Sequence, residues 1–303
     1  MKVSNILPWF IFASVNTLAS VWMAGISHTW FPPVASIEAQ LIDNLFAFLV
    51  FLGTFIFLGI TGVLGYSVLT GLTSRFDTSD GPPIEGNVTL EIVWTAIPLA
   101  LVVVIAGYSY WIYDQMAVRG PMEIVHMHMP GMETAYAAPL DGTMTGKSQS
   151  VEAIAVNAKQ WSWAFHYPNS NITSSELHLP VNQRVHLALH TEDVIHGFYV
   201  PAFRLKQDII PNKTIDFEFT PIREGTYRLS DSQFSGTYFA VMQTNVVVES
   251  AEKYSAWLSK TGDRALVPAA NRAYEEYNQI PKNGFKPAWA TIPPEPPPMV
   301  NEG

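Results

Sequence analysis

Apolar and polar residues are distributed unevenly along this chain, in long apolar runs at first and in short alternating runs later. From Asn44 to Ser74 there is no charged residue. At about 1.5 Å per residue, about 20 residues cross a hydrocarbon layer of about 30 Å, so this stretch predicts a transmembrane helix. Its Gly59, Gly62 and Gly65 recur at helical spacing. Such a stripe lets another helix approach closely in lipid, although glycine is also common in membrane helices generally. A second span is predicted from Ile92 to Tyr113, entered through Asn87-Val88-Thr89-Leu90-Glu91 with Thr89 as a candidate cap. Pro98 lies early in it, and Tyr108, Tyr110, Trp111 and Tyr113 form an interfacial aromatic belt at its end. The two spans predict a helical hairpin over residues 40–114.

The apolar run from Ile6 to Ile26, within residues 1–28, follows Lys2 and reads either as a signal peptide or as a further span. Trp22 stands at the −3 position of the Ala24-Gly25 boundary, where cleavage needs a small residue, and this favours a retained helix. Three spans with the N-terminus inside place everything after Asp114 outside, and Lys2 and Arg75 then lie on the cytoplasmic side, as positively charged flanks prefer.

Over residues 151–250 the period falls to two, in runs such as Val151-Glu152-Ala153-Ile154-Ala155-Val156 and Val185-His186-Leu187-Ala188-Leu189, with Pro and Gly between them. This pattern predicts a Greek-key β-sandwich. In residues 251–303, Ala251 to Lys260 reads as a short amphipathic helix, and Pro293-Pro294-Glu295-Pro296-Pro297-Pro298 favours an extended, solvated tail. Residues 115–150 form an extracytoplasmic insertion carrying Met122, His126, Met127, His128, Met129 and Met132. Thioether and imidazole donors suit copper, and His126, His128 and Met129 are candidate ligands; one surface strand or partner contact would show the same alternation.

A hydrophobic share of 48%, only 14% charged residues and a positive mean hydropathy agree with a membrane protein. The net charge of −9 argues against nucleic acid as a partner. The 303 residues include no Cys, which excludes disulfides, thiolate metal sites and a Cys-linked lipid anchor, and leaves the redox compartment open.

The stretch from Thr191 to Met242 resembles subunit II of the haem-copper terminal oxidases. In copper-bearing members a His is followed much later by a Cys, a second Cys four residues on, a His four beyond it and a Met three further. The matching positions are His196, Asp231, Ser235, Phe239 and Met242. A dinuclear mixed-valence copper centre needs two bridging thiolates, which the carboxylate of Asp231 and the hydroxyl of Ser235 cannot replace, and Phe239 offers no ligand. The resemblance, which covers roughly residues 40 to 250, implies a cupredoxin-like sandwich without copper. It points to the quinol-oxidising branch, in which cytochrome c is not the donor.

The resemblance also assigns roles residue by residue. Glu91-Ile92-Val93-Trp94-Thr95-Ala96-Ile97-Pro98 is similar to the motif whose Glu stands at the mouth of a proton-uptake channel into subunit I. Without it, Glu91 would be read as stabilising a helix N-terminus by roughly 0.3–1 kcal/mol. Trp161 matches the electron-entry position for cytochrome c, which has no role without a metal beneath it and is read here as packing. Asp193, Arg204, Lys206 and Asp208 match a segment facing subunit I, where the two cations would need carboxylates across the interface; a solvated loop is the plainer reading. Gln233 replaces a Glu that binds a Mg or Mn ion shared with subunit I, and an amide is a poorer ligand for so hard a cation.

The expected protein is a non-catalytic subunit of a proton-translocating quinol:oxygen oxidoreductase, and within that family it resembles the alternative respiratory terminal oxidase of oxygenic photosynthetic bacteria. It would reside in a bacterial energy-converting membrane with its C-terminal domain on the periplasmic or lumenal side. The implied partners are subunit I, which holds the haems, one copper and the quinol site, together with subunit III and membrane lipid. No cofactor is expected in this chain. Competing readings are a membrane-tethered copper-delivery or storage protein, an assembly or adhesion module, and, disfavoured by the missing Cys, a copper-bearing cytochrome c oxidase subunit II.

Overall fold

A computed structural model describes residues 6–72, 86–116, 151–279 and 292–302. The candidate ligands His126, His128 and Met129, and the charge markers Lys2 and Arg75, lie outside the described residues. The chain divides into two compact units, one of Met1–Pro32 with Leu41–Gln115 and one of Pro33–Gln40 with Met116–Gly303.

The first unit is helical. Helices α1 (Leu7–Ser27), α2 (Ile37–Gly71) and α3 (Val88–Gln115) are each long and apolar enough to span a membrane. At 35 residues, α2 outruns the hydrocarbon layer, which explains how it begins before the uncharged stretch and includes Glu38 and Asp43. The cap of α3 differs from expectation. Asn87 rather than Thr89 stands before the first turn, and its Oδ1 accepts the Leu90 N–H at 3.1 Å. Asn presents its acceptor on a short, pre-formed arm, and Thr89 is already inside the helix.

The second unit is a sandwich of two five-stranded sheets. Its strands are β1 (Glu152–Lys159), β2 (Ser162–Tyr167), β3 (Ile172–Ser174), β4 (Leu177–Pro180), β5 (Val185–Thr191), β6 (His196–Val200), β7 (Leu205–Ile209), β8 (Ile215–Phe219), β9 (Gly225–Asp231) and β10 (Gln243–Glu249). One sheet runs β3-β2-β1-β5-β8 and the other β4-β10-β9-β6-β7. The pairs β1–β5 and β4–β10 are parallel. Alternation sends Ile154, Val156, Val185, Leu187, Leu189, Phe165 and Tyr167 inward from the first sheet, against Phe198, Leu229, Val246 and Val248 from the second. Fully burying each such side chain is worth about 1.5–3 kcal/mol, and this closes the sandwich.

Residues 33–40 pair with this sandwich, and the division between the two units falls between Gln40 and Leu41, where the sequence places the start of the helical hairpin. Ala35 N–H donates to Ala202 O at 3.1 Å, Ile222 N–H to Ala35 O at 2.9 Å and Ile37 N–H to Thr220 O at 3.1 Å. Ser36 is buried and serves twice: its Oγ accepts the Ala39 N–H at 3.0 Å, capping α2, and donates to Phe203 O at 3.2 Å.

After β10 come α4 (Ala251–Gly262), β11 (Val267–Pro268), α5 (Arg272–Gln279) and β12 (Met299–Val300). The expected helix is present, with Ser250 Oγ accepting the Lys253 N–H. The tail, expected to be solvated, packs in part: Pro293, Glu295 and Pro296 are exposed, but Pro294 and Val300 are buried. Glu295 N–H donates to Gln160 O at 3.3 Å, β12 pairs with β11, and Asn301 N–H donates to Thr173 O at 2.7 Å, so the end of the chain covers the free edge of β3. Unpaired strand edges are liabilities, and this one is closed by the chain itself. The Glu302 carboxylate fastens the end, accepting from Trp257 Nε1, from Thr261 Oγ1 at 3.2 Å and from Arg264 Nη1 at 2.7 Å. Polyproline composition favours extension, and extension is what edge pairing requires.

Glu302→Ala removes three acceptor contacts at once. It should destabilise the sandwich by about 1–3 kcal/mol, read from tryptophan fluorescence during denaturant unfolding of the full-length subunit. An unchanged midpoint would show the tail to be energetically idle.

Candidate functional site: an imidazole between two carboxylates

The last residue of β9, Asp231, and the first of β6, His196, enter the domain interior from neighbouring strands, with Phe198 opposite Asp231 in the register. Both side chains are completely buried. His196 Nδ1 donates to Asp231 Oδ2 at 2.7 Å, and its Nε2 donates to Asp193 Oδ1 at 3.0 Å. A carboxylate can only accept, so both ring nitrogens carry protons and the ring is an imidazolium.

Each carboxylate is saturated with donors. Asp231 Oδ2 also accepts from Ser235 Oγ at 2.7 Å, while its Oδ1 accepts the Gly197 N–H at 2.7 Å and the Gln233 N–H at 2.9 Å. The last of these is the local turn that an Asp makes with the residue two ahead, and it sets the course of the following loop. Asp193 accepts from Gln160 N–H at 2.7 Å, Thr191 Oγ1 at 2.8 Å and Val194 N–H at 2.7 Å. Close approach of the loop requires Gly197, where a Cβ would collide with Ser232 Oγ and lie 3.0 Å from the Gln233 nitrogen.

Burial works against a charged His196, but the hydrogen bonds and charges of Asp193 and Asp231 outweigh it and raise its pKa above the ordinary value. Burial also pushes Asp193 upward; the donors from His196, Thr191, Val194 and Gln160 prevail and hold it far below the usual carboxylate range.

The β1–β2 turn covers the loop. Gln160 Nε2 and Trp161 Nε1 both donate to Ser235 O, at 2.6 and 3.1 Å. Trp161 is only 2% exposed and meets Tyr238 edge-on at 5.0 Å. Gly236 has φ of 115° and lies so close that a Cβ would come within 2.8 Å of the Trp161 ring. Met242 is buried, and its carbonyl accepts from Asp231 N–H at 3.1 Å and Trp163 Nε1 at 3.3 Å. Phe239 packs instead against the exposed Phe234, with ring centroids 5.1 Å apart.

Two matches to known families cover most of this architecture. Residues 22–112 match the transmembrane domain of cytochrome c oxidase subunit II, and residues 171–251 match its periplasmic domain. The chain is 34% identical over 278 residues to cytochrome c oxidase subunit 2 of Synechocystis, covering 86% of this chain and 83% of that one. It is 35% identical over 287 residues to the Thermostichus vulcanus protein of the same name, with 86% and 87% covered. The chain belongs to the cytochrome c oxidase subunit II family. A more distant relative, quinol oxidase subunit 2 of Bacillus subtilis, is 23% identical over 255 residues, with 83% and 70% covered.

As a subunit II, the chain is an integral membrane protein whose C-terminal domain lies outside, and its partner is subunit I of a haem-copper terminal oxidase. The family's dinuclear copper does not fit the groups found here. No sulfur stands at position 231 or 235, both nitrogens of His196 are engaged by carboxylates, and Phe239 has no donor atom. Among the described residues, no group of three or more His, Asp or Glu side chains is arranged to hold a metal ion.

Asp193, which the resemblance groups with the segment facing subunit I, is the second partner of His196. The available signal was the spacing Thr191-x-Asp193-x-x-His196, which puts a hydroxyl, a carboxylate and an imidazole around one tight turn. The other three residues of that group lie apart from it. Lys206 pairs with Asp208 on the same face of β7 at 3.1 Å, so its carboxylate partner is internal. Arg204, in the left-handed region at φ of 54°, donates from Nη1 to Pro201 O at 2.8 Å. Burial raises the Asp208 pKa, and bonds from the Gln233 side chain and Lys206 more than offset this, lowering it. Glu91 lies exposed in the first turn of α3.

His196→Gln should cost about 3–5 kcal/mol at pH 6, because it strands a buried carboxylate. Its pH dependence has a defined sign. The His196 contribution is complete below the unfolded pKa of about 6.5 and disappears as pH rises through the higher folded value, whereas that of Asp193 is complete above about 3.9 and disappears as pH falls towards its lower one. Unfolding free energies of wild type and variant should therefore differ most between about pH 4 and 6.5. A difference independent of pH would contradict the imidazolium assignment.

Proposed function

We propose that this chain is subunit II of a quinol-oxidising terminal oxidase, in which reducing equivalents reach subunit I without passing through the outer domain. The observation that carries this reading is the saturated Asp231 carboxylate. It takes the position of a bridging thiolate, and its four hydrogen bonds involve His196, Ser235, Gly197 and Gln233. Electron entry by way of Trp161 needs an acceptor beneath the indole. The groups there are a hydroxyl, two carboxylates and an imidazolium, none of which changes oxidation state at biological potentials.

The alternative is a cytochrome c oxidase, and the names of the two relatives at 34% and 35% identity favour it. Overall identity reports shared fold and assembly, whereas electron entry depends on a few sulfur and nitrogen atoms. The absence of all Cys from 303 residues therefore weighs more.

On this reading the chain's contributions are structural and protonic. The sandwich serves as the outer cover of subunit I, with Arg204, Lys206 and Asp208 offered to that interface, and Glu91 marks the proton entrance at the start of α3. A carboxylate at a membrane boundary combines access to water with proximity to a buried path, which is the chemistry a proton port needs. Haems, one copper and the quinol site belong to subunit I.

The purified complex should reduce oxygen with a quinol as donor and show no turnover with reduced cytochrome c; brisk turnover with the haem protein would refute the proposal. Glu91→Gln should lower quinol-driven oxygen consumption by about 10-fold or more while the subunits still co-purify, if proton entry limits the rate. Wild-type turnover in an intact Glu91→Gln complex would remove Glu91 from the proton path. Copper bound tightly and stoichiometrically through residues 115–150 would instead favour a copper-delivery role.

A further inference from the structure

We infer that α1 is a permanent third helix of the mature subunit, locked to α2 within the membrane by the side chains of Asn16 and Phe12. Asn16 lies in the middle of α1 and is only 4% exposed, and its Nδ2 donates to the backbone carbonyl of Phe55 at 3.0 Å. Gly59 lies beside this acceptor, and a Cβ there would meet the Asn16 amide at 3.5 Å, an ordinary contact. One turn further along α2, the Phe12 ring fills the space over Gly62 so closely that any Cβ would collide with it. Trp9 meets Tyr66 edge-on at 5.2 Å, extending the antiparallel contact to the start of α1, and Phe31, just beyond its end, meets Phe46 at 4.8 Å.

These contacts distinguish a packed helix from a leader. A leader is read by its apolar length and its cleavage site, and neither needs an amide aimed at one carbonyl nor a ring seated over one glycine. A polar side chain in a spanning helix is costly unless another helix receives it, and here the reception is specific. The second amide atom, Oδ1, is buried without a partner among the described residues. Asn16 is thus shielded by close packing as well as by its single bond, and separating the helices would place its whole amide in hydrocarbon.

The family's transmembrane match begins only at residue 22, so most of α1 lies outside the part of the chain that the family model accounts for. Its consequence for assembly is geometric. Two of the three glycines in the stripe, Gly59 and Gly62, are used within the chain by α1, and only Gly65 has open space beside it. The Gly59–Gly62 part of the stripe is therefore not open to a helix of subunit I.

Two measurements test this. N-terminal sequencing and intact mass of the subunit purified with its complex should give a chain that begins before Phe12; a mature N-terminus at any later residue overturns the inference. The lock itself is accessible because the chain has no native Cys. A Phe12→Cys/Gly62→Cys pair in the full-length subunit should oxidise to a disulfide in the membrane, counted by loss of maleimide labelling. Adding Asn16→Leu should lower the yield under limiting oxidant by about threefold, the typical worth of one interhelical hydrogen bond. No disulfide, or a yield indifferent to Asn16, would contradict the lock.

Discussion

The outer domain depends on how one buried carboxylate is satisfied. Asp231 ends a strand in the interior, where an unpaired charge would cost several kcal/mol. It is tolerated because His196 supplies a counter-charge, and because one hydroxyl and two backbone amides occupy its remaining acceptor directions. The same bonds fix the loop that follows, since Gly197 and Gln233 donate through their backbones and Ser235 through its side chain. A metal would hold such a loop by coordination; hydrogen bonds do so here. The net gain over an apolar core is small for an arrangement of this kind, yet removing one member is expensive, so its residues act as a set.

That set explains the surrounding choices. Trp161 lies over the loop because Ser235 turns its carbonyl outward to the indole and to Gln160. Gly197 and Gly236 mark the two places where backbone or ring approaches too closely for a side chain. Phe239, partly buried against the core, packs beside the exposed Phe234. The chain thus retains the frame of its family, with hydrogen bonds among His196, Asp231 and Ser235 at its centre.

Much of this could be read from the sequence because periodicity and composition act locally. The uncharged run from Asn44 required a membrane helix, and the alternation at Val185-His186-Leu187 required a strand with one buried face. The absence of Cys was also evident, and with it the absence of any thiolate at positions 231 and 235. What escaped were contacts between distant residues. The Thr191–His196 turn and Asp231 are separated by more than 30 residues, so the grouping of Asp193 with His196 depended on strand register. Ser36 meets Phe203 across 167 positions, and nothing near Ser36 indicates that the entry to α2 is anchored in the sandwich. The course of the proline-rich tail was illegible for a related reason: composition gave its extended shape, but only the exposed edge of β3 determined where it would lie.

The central claim is that His196 is a doubly hydrogen-bonded imidazolium held between Asp193 and Asp231. The most direct test is nitrogen-15 NMR of histidine-labelled full-length subunit in micelles at pH 6, with His196→Gln for assignment. The account predicts two protonated ring nitrogens on His196, with strongly downfield protons that neither shift nor broaden when copper is added. A single protonated nitrogen, or broadening of the His196 signals by stoichiometric copper, would contradict it.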